Sequence, residues 1–457
     1  MQRYDAVIVG GATSGSYLGR KLAEQGRTAL ILESKPEAQV GARYDIFHIG
    51  KAEFARFGLP EPQPGEDLAF AFTGGTAYSA FGRHPKEGNG STVGMHMHAY
   101  TLRMNRWAVS AGAEILYDAA FTGFLYDGAG RIEGVRYTHG GETAEAGARI
   151  VCDCSGIPSV ARRALPDGYG VENFEIAPTD MFYVTLRYVK YHRPEDFVKH
   201  TRSWTYYKVW EAPEADPEGA ILGVGANFGF ETGEKVFAEF EKNVERPAYT
   251  LKYIERGATP YRRPPYSFVA DGFLVSGDAA CLTKPSAGEG VTSSMVQLSI
   301  AAEVVGKLLD QPDYLTRAAL WPINKRYVEA QGKSFASQLA TLAGAMASDA
   351  KENDFFFEKD VIFSAKTFAN LGKGQAMTFT AGELIGMALK MAGGVLTGRL
   401  RVSTNRARLS GMKQGERVAE LYADYPDTEA GFDAWVQRAD AVWASCITMA
   451  DLVKDKA

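Results

Sequence analysis

The stretch YDAVIVGGATSGSYLGRKLAEQGRTALILES, residues 4–34, decides the fold class. Its first apolar run, 6–9, is short and rich in β-branched residues, as in buried parallel strands. A glycine-rich turn, 10–15, follows this run, and apolar residues then recur at helical spacing. A second apolar run, 28–32, ends at Glu33. The order strand, glycine turn, helix, strand and acid predicts an α/β domain with the turn at a helix N-terminus.

This turn suits a ligand that carries a diphosphate, because a helix N-terminus presents free N–H groups and a partial positive charge. Gly10 permits a tight turn and Gly15 permits close packing of the helix on the strand, while Ala12 occupies the middle position of the motif. Glu33 lies 18 residues after Gly15, where a carboxylate can accept from ribose hydroxyls and repel a 2′-phosphate. We predict a Rossmann-type dinucleotide site; the alternative is a glycine-rich turn in an unrelated α/β protein.

The composition narrows the function classes. The 457 residues are 46% hydrophobic and 23% charged, an ordinary globular balance for two or three domains. A net charge of −5 disfavours nucleic acid as a partner. The four cysteines have no metal-ligand spacing, so we expect buried thiols, a reducing cytoplasm and no metal.

The chain shows no targeting signal and no membrane-spanning pattern. Its first strand pattern starts at Tyr4, and no apolar stretch reaches the roughly 20 residues needed to cross a bilayer. We therefore expect a cytoplasmic protein, with peripheral membrane contact left open. The apolar helical stripe in 381–401 fits a membrane surface or lipid delivery, although a buried C-terminal helix is the favoured interpretation.

Two later segments repeat the combination of an apolar run and a glycine turn. The first is RIVCDCSGIPSVARRAL, 149–165, and the second is VSGDAACLTKPSAGEGVTSSM, 275–295. Glycine gives up the most conformational freedom on folding, so such turns indicate that something approaches the backbone closely.

With the first turn, these segments resemble the FAD-dependent oxidoreductases of the para-hydroxybenzoate-hydroxylase-type fold, and most of all their geranylgeranyl reductase-like members. That family has GxGxxG, then A-D-G-x-x-S-x-x-R, then G-D-A-A-x-x-x-x-P-x-x-G-E/G-G. Cys154 and Ser155 replace the Ala and Asp of the middle motif. The residues that match the middle and late motifs are Gly156, Ser159, Arg162, Gly277, Asp278, Ala279, Ala280, Pro285, Gly288, Glu289 and Gly290.

The resemblance implies FAD as the cofactor. Asp278 then accepts from the ribityl hydroxyls, and the helix after Gly290 points its N-terminus at the pyrimidine end of the flavin ring. A helix dipole there stabilises the negative charge of reduced flavin. The remaining residues that we assign to the cofactor site are Thr13, Ser14, Ser34 and Phe121.

The substrate-binding residues are expected in 60–100 and 170–265, which are rich in aromatic residues and alternate between apolar and polar residues as an antiparallel sheet does. The reductases of the family have Y-x-W-x-F-P there, and Trp210 and Pro213 match while Lys208 and Ala212 replace the Tyr and Phe. We predict Tyr207 and Trp210 as substrate contacts; the alternative is simple sheet packing, since aromatic residues favour strands. The cysteine that some archaeal members have within 41–50 is absent, so no proton donor is assigned.

His96 and His98 lie two residues apart, and we interpret them as polar contacts or packing rather than as metal ligands.

The predicted fold class is α/β, with a Rossmann-type FAD-binding domain, an antiparallel-sheet substrate domain and a helical C-terminal region. The FAD-binding domain is expected to be discontinuous. Its segments are 1–60, 101–170 and 266–310; the substrate domain comprises 61–100 and 171–265; the helical region is 311–457.

From the resemblance we expect an FAD-dependent oxidoreductase that reduces carbon–carbon double bonds of an apolar, isoprenoid-like substrate by hydride transfer from flavin N5. The first alternative is a flavin-dependent monooxygenase or halogenase, and the second is electron transfer to a quinone. A second GxGxxG is absent from the sequence, so NAD(P)H is expected to dock transiently unless a redox protein donates the electrons.

Overall fold

The computed structural model describes residues 1–42, 46–285, 288–361, 363–372 and 379–447. The strands are β1 (Gln2–Val9), β2 (Ala29–Leu32), β3 (Ile46–Gly50), β4 (Leu68–Tyr78), β5 (Lys86–His96), β6 (Glu114–Leu116), β7 (Ala119–Tyr126), β8 (Ile132–His139), β9 (Glu142–Asp153), β10 (Met181–Tyr191), β11 (Thr201–Trp204), β12 (Val209–Pro213), β13 (Gly219–Asn227), β14 (Tyr249–Pro260), β15 (Val269–Ala270) and β16 (Phe273–Val275). The helices are α1 (Thr13–Ala23), α2 (Lys51–Phe57), α3 (Met97–Val109), α4 (Phe230–Asn243), α5 (Val291–Leu308), α6 (Arg317–Tyr327), α7 (Lys333–Ala345), α8 (Ala350–Glu358), α9 (Ala365–Gly372), α10 (Ala381–Leu396), α11 (Val402–Ala423) and α12 (Phe432–Ala444).

The first sheet carries the predicted α/β unit. Its strand order is β15-β16-β9-β1-β2-β6, and the β7–β8 hairpin joins it through β9. β1 pairs in parallel with both β2 and β9, so their carboxyl ends meet at one edge of the sheet. β16 joins the same edge by pairing in parallel with β9. The three glycine motifs each follow one of these strands, which is why residues far apart in sequence meet there.

Helices α1 and α5 pack against each other beside this sheet. The hydroxyl oxygens of Tyr17 and Ser299 lie 2.9 Å apart between the two helices. The amide nitrogen of Gln297 donates to the carbonyl oxygen of Val275 at 2.9 Å, which ties α5 to β16. The position of α5 is therefore set by the strand that carries the third motif.

The second sheet is antiparallel except between β4 and β11, and its order is β14-β10-β13-β12-β11-β4-β5-β3. Helix α4 covers one face, where Phe237 and Phe240 pack with Val189, Leu222 and Val224. Together with the helices from α6 onward, the two sheets confirm the predicted fold class. The domain division itself stays a prediction: β3 falls within 1–60 and pairs with β5 in the second sheet.

The C-terminal region is helical; α7 and α11 pack tightly, whereas α10 packs through one side and is otherwise exposed. Helices α7 and α11 approach so closely that a Cβ added at Gly344 would lie 2.6 Å from the carbonyl oxygen of Ala407. In α10, by contrast, Gly394 is the one buried residue. The favoured interpretation of this stripe as a buried helix is therefore wrong. In the part of the chain that the structure describes, no helix is both long and apolar enough to cross a membrane.

Trp435 anchors the end of the chain on this core. Its ring is fully buried against Tyr266, Tyr422 and Tyr425, and its indole N–H donates to the carbonyl oxygen of Leu421 at 2.9 Å.

We expect Trp435→Ala to lower the free energy of unfolding by about 3–5 kcal/mol, because it leaves a cavity where a large side chain was buried. Urea denaturation followed by circular dichroism measures the change. Trp435→Phe keeps most of the ring and is the matched control, for which a smaller loss is expected. Equal stability of Trp435→Ala and the unaltered chain would contradict this role of the ring.

Candidate functional site

The turn after β1 is built by two glycines that no other residue can replace without rearrangement. Gly10 has φ +109°, and a Cβ there would lie 2.3 Å from the carbonyl oxygen of Cys154. A Cβ on Gly15 would lie 1.9 Å from the carbonyl oxygen of Gly10. Helix α1 then starts after Ala12 with no side-chain cap and no acidic residue in its first turn. Its N–H groups are left for an anionic ligand.

Glu33 stands at the end of β2, beside that helix start. One carboxylate oxygen accepts from the N–H of Gly11 at 2.8 Å, and the other accepts from the N–H of Lys35 at 2.9 Å. Ser34 is exposed next to it. Phe121 is half-buried, with its ring centroid 5.1 Å from that of Phe124. Strand β7, which carries Phe121, begins with a bond from the N–H of Ala119 to the Glu33 carbonyl oxygen.

Between them, Ala12, Thr13 and Ser14 leave surface open at the start of α1, since Ala12 is exposed and the other two are half-buried. The predicted residues of the first motif therefore lie together at one edge of the first sheet.

A buried carboxylate that the sequence reasoning missed, Asp153, organises the second loop. Its side chain accepts from the N–H groups of Ser155 at 2.9 Å and of Arg162 at 2.6 Å. Its carbonyl oxygen accepts from the N–H of Ser276 at 2.9 Å. Burial raises the pKa of Asp153, and these hydrogen bonds oppose the shift. Like Glu33, Asp153 stands at the end of an apolar strand, and a glycine turn follows it, so this signal was available in the sequence.

Arg162 links the second motif to the third through a hydrogen bond to the backbone of the third motif. It is fully buried, and its Nε donates to the carbonyl oxygen of Ala279 at 3.0 Å. Ser159, also fully buried, reaches the same oxygen at 3.4 Å. The guanidinium carbon lies 3.8 Å from the ring centroid of Phe174. Arg162 thus supports the loop that follows Gly277, and Gly156, at φ +75°, makes the turn between Asp153 and these residues.

The third motif directly contacts the start of the first helix. Gly277 has φ +65°, and a Cβ there would lie 3.0 Å from the hydroxyl oxygen of Ser14. The next residue, Asp278, is half-buried and accepts from the hydroxyl of Thr283 at 3.2 Å. A Cβ on Gly290, the residue before α5, would lie 3.5 Å from the Asp278 carboxylate. The starts of α1 and α5 therefore flank one short loop, which is the arrangement that an elongated dinucleotide requires.

The loop before α5 is tied down at both ends. The carbonyl oxygen of the buried Pro285 accepts from the Tyr261 hydroxyl. Glu289 accepts from the Thr292 hydroxyl and lies 3.3 Å from the ammonium of Lys284. Gly288 has φ +66° and open space where a side chain would be. Ser286 and Ala287, within the same predicted turn, lie outside the described residues.

The face of the second sheet that α4 leaves uncovered carries apolar side chains over glycines. A Cβ at Gly223 would lie 2.1 Å from the Trp210 ring, and one at Gly225 would lie 2.2 Å from the Phe182 ring. Ile46, Phe70, Val184, Leu186 and Trp210 belong to one cluster on this face. We call it the inner face, defined by His48, Phe70, Phe182, Val184 and Trp210.

The inner face stands opposite the loop that ends at Gly290, which we call the cofactor loop. Tyr261 stacks on Phe182 at 5.1 Å between ring centroids and donates to Pro285, and the hydroxyls of Thr259 and Thr283 lie 2.6 Å apart. The predicted contact Trp210 thus lies on the sheet face directed at the cofactor loop.

Tyr207 lies elsewhere. It is buried on the α4 side, where its hydroxyl accepts from the amide of Asn243 at 3.0 Å and its ring centroid is 5.7 Å from that of Phe240. The structure does not bring it together with Trp210, because Tyr207 lies in the turn before β12 and packs on the α4 side, whereas Trp210 lies on β12 and faces the other way.

Two titratable residues of this region escaped the sequence reasoning. His48 pairs across the sheet with Gly94, as Phe70 does, so its ring is on the inner face. It keeps accessible surface although protein surrounds it closely enough for burial to lower its pKa, a shift that the Glu289 carboxylate opposes. His48 therefore lies on the inner face, close enough to the cofactor loop for the Glu289 charge to act on it.

Lys208 is the second such residue. Its ammonium lies 4.7 Å from the ring centroid of Phe182, and burial lowers its pKa to about 8. The predicted polar or packing role of the other histidines fits His98, whose ring nitrogen is 2.5 Å from the carbonyl oxygen of Val40.

Comparisons with known proteins address the predicted family. No family model matches the chain. The digeranylgeranylglycerophospholipid reductase of Sulfolobus acidocaldarius is 23% identical over 459 residues, which cover 96% of this chain and 97% of that protein.

Among solved structures, a geranylgeranyl bacteriochlorophyll reductase-like protein from Thermoplasma acidophilum aligns with a TM-score of 0.64 and 18% identity, covering 88% of this chain and 100% of that one. The myxobacterial chondrochloren halogenase, an FAD-dependent enzyme, aligns with a TM-score of 0.61 and 16% identity over 92% and 97% of the two chains. Both share the fold. These similarities confirm the resemblance stated from the glycine motifs: the chain is similar to geranylgeranyl reductases over nearly its whole length, and it is a flavin-dependent oxidoreductase.

Proposed function

We propose that this protein is an FAD-dependent reductase of carbon–carbon double bonds in isoprenoid lipids. The observation that carries the proposal is the contact of Gly277 with Ser14, which places two helix N-termini around one loop. The relatives named digeranylgeranylglycerophospholipid reductase support an isoprenoid lipid as the substrate.

In this proposal the free N–H groups between Ala12 and Ser14 bind the diphosphate of FAD. The Glu33 carboxylate accepts from the ribose, and Asp278 accepts from the ribityl chain. The start of α5 at Gly290 faces the pyrimidine edge of the flavin, where its dipole favours negative charge. The bound flavin supplies the hydride; the residues of this chain bind, orient and exclude water.

The inner face would hold the apolar substrate chain against the cofactor loop. Phe70, Val184 and Trp210 provide apolar surface there, and α4 seals the opposite face of the sheet from water. His48 would present its imidazole beside the cofactor loop, where the Glu289 carboxylate opposes the lowering of its pKa by burial. The histidine falls in the segment, 41–50, where some archaeal relatives have a cysteine.

The electron donor in this proposal is NAD(P)H that docks transiently, or a redox protein. A peripheral membrane contact through α10 also belongs to the proposal. Leu384, Ile385, Leu389 and Leu396 of this helix are 41%, 63%, 69% and 88% exposed.

Charge near α10 favours an anionic bilayer as the surface that covers it. A recess of about 690 Å³ lies where α10 ends, and its lining includes Gly398. Three cations and one carboxylate line it: Arg83, Lys351, Arg399 and Asp354. An apolar helix beside a cationic recess is the combination that binds lipid tails and phosphate head groups together.

A flavin-dependent monooxygenase or halogenase is the second candidate. Lys208 favours it, because a lysine on the substrate side of the cofactor loop is the feature expected of that class. Oxygen consumption that yields a hydroxylated or halogenated product would decide for this candidate. Electron transfer to a quinone has no comparable support among the described residues.

The reductase proposal predicts the behaviour of the reduced protein without oxygen. After reduction with dithionite, we expect the oxidised flavin band to return when a lipid with geranylgeranyl chains is added. The fully saturated form of the same lipid is the matched control and should leave the flavin reduced. Equal reoxidation rates with the two lipids would contradict the proposal.

The proposed binding of FAD at the glycine turn, 10–15, predicts the effect of adding a single methyl group there. Since a Cβ at position 15 cannot fit beside the Gly10 carbonyl, we expect Gly15→Ala to retain less than about a tenth of the bound flavin. The ratio of flavin to protein absorbance, with FAD titration of the apoprotein, measures it. Gly386→Ala in α10, where a Cβ meets nothing within 4 Å, is the control. Full flavin content in Gly15→Ala would show that this turn does not hold the cofactor.

The α10 surface predicts binding to vesicles that contain phosphatidylglycerol. Replacing both Ile385 and Leu389 with Glu should weaken vesicle binding by about tenfold or more, because each buried aliphatic side chain contributes ~1.5–3 kcal/mol. Vesicle cosedimentation measures this, and Leu251→Glu, at a 47% exposed position on β14, is the control. Unchanged vesicle binding with a loss of self-association would instead identify α10 as an interface between copies of the chain.

A further inference from the structure

Lys208 has an unusual environment for a lysine. It sits in the turn between β11 and β12 with φ +49°. Its ammonium lies 4.7 Å from the ring centroid of Phe182 and 5.6 Å from that of Tyr261. Among the described residues, this ammonium makes one hydrogen bond, a long one of 3.4 Å to the amide oxygen of Asn227. Aromatic faces attract a cation, but they replace only part of the hydration that burial removes.

This ammonium has no carboxylate partner within the described residues. Lys252, another lysine of the same sheet, shows the usual arrangement, because its ammonium pairs with the carboxylates of Glu214 and Asp216. For Lys208, burial is the one cause of the lowered pKa, and no neighbouring charge opposes it. A cation that is kept away from water without a counter-ion costs stability, unless a ligand supplies the negative charge.

The location of Lys208 indicates where such a ligand would lie. Tyr261, one of the two rings beside the ammonium, donates its hydroxyl to the carbonyl oxygen of Pro285. The ammonium therefore lies beside the cofactor loop. The ammonium contacts Phe182, which lies on the same face of the sheet as Trp210. The charged group thus stands at one end of the apolar inner face.

We propose that Lys208 binds the anionic head group, a carboxylate or a phosphate, of an amphiphilic isoprenoid whose apolar chain lies along Trp210 and Val184. This inference rests on the proposed function and adds a charge requirement to it. The ammonium supplies the attraction, and the Asn227 amide and the two aromatic rings hold it in place. An uncharged chain of the same length lacks this interaction and binds more weakly.

Equilibrium dialysis of farnesoate and farnesol against the oxidised, FAD-loaded protein tests the inference, since the two probes differ in charge at one end. We expect Lys208→Met to weaken farnesoate binding at least tenfold and farnesol binding less than twofold. Lys208→Arg keeps the charge and should stay within about threefold of the unaltered protein. Lys242→Met, which removes an exposed lysine on α4 at the far side of the sheet, is the matched control.

The unaltered protein provides a second measurement that needs no folded variant. Lys208 is protonated below its pKa of about 8 and neutral above it. Farnesoate affinity should therefore be highest near neutral pH and fall as the pH rises through about 8. Farnesol affinity should stay constant over the same range, and Lys208→Arg should remove the pH dependence for farnesoate.

Two results for Lys208→Met would overturn the inference. One is an equal loss of affinity for farnesoate and farnesol, which indicates a packing role; the other is unchanged affinity for both. A third result would also overturn it: if Lys208→Met changes the flavin reduction potential but not farnesoate binding, the ammonium interacts with the reduced flavin and not with the substrate head group. The probes bind to the oxidised protein without turnover, so this experiment does not depend on reductase activity. The anaerobic reoxidation experiment tests the reductase proposal separately.

Discussion

The close contact between Gly277 and Ser14 is the constraint on which the rest of this structure depends. It brings together the starts of α1 and α5, which are far apart in the sequence, so that both positive helix ends act on one elongated space. Asp153 stabilises the contact from behind, since its carbonyl oxygen accepts from Ser276 and its carboxylate orders the loop up to Arg162. A side chain at position 277 would separate the helix starts and divide the space between them.

Local chemistry explains why the cofactor side could be predicted from the sequence. Gly10 and Gly15 are required by backbone approaches of 2.3 and 1.9 Å, and such requirements leave a residue pattern that can be read without coordinates. Asp153 was as visible as Glu33, since both acids stand at the end of an apolar strand. Tyr207 and Trp210 were predicted together, but Tyr207 lies in the turn before β12, where strand alternation does not set the face of a side chain.

The substrate side depends on pairings that the sequence does not show. His48 reaches the inner face because β3 pairs with β5, some 45 residues later in the chain. The local sequence pattern does not predict which strand β3 pairs with. Lys208 looked like a departure from a family motif, and its aromatic cage depends on Phe182 and Tyr261 from two other segments. The exposure of α10 could not be foreseen either, since an apolar stripe is compatible with a buried helix and with a membrane surface.

The glycines beneath the aromatic rings have a consequence for how this fold can diversify. Trp210, Phe182 and Phe70 lie in shallow backbone depressions at Gly223, Gly225 and Gly94, where a single methyl group would lift a ring towards the cofactor loop. In the proposed function, the clearance above the flavin would thus be set by missing methyl groups, on the side of the molecule away from the residues proposed to bind the diphosphate. Substrate girth can therefore drift through evolution while cofactor affinity stays constant.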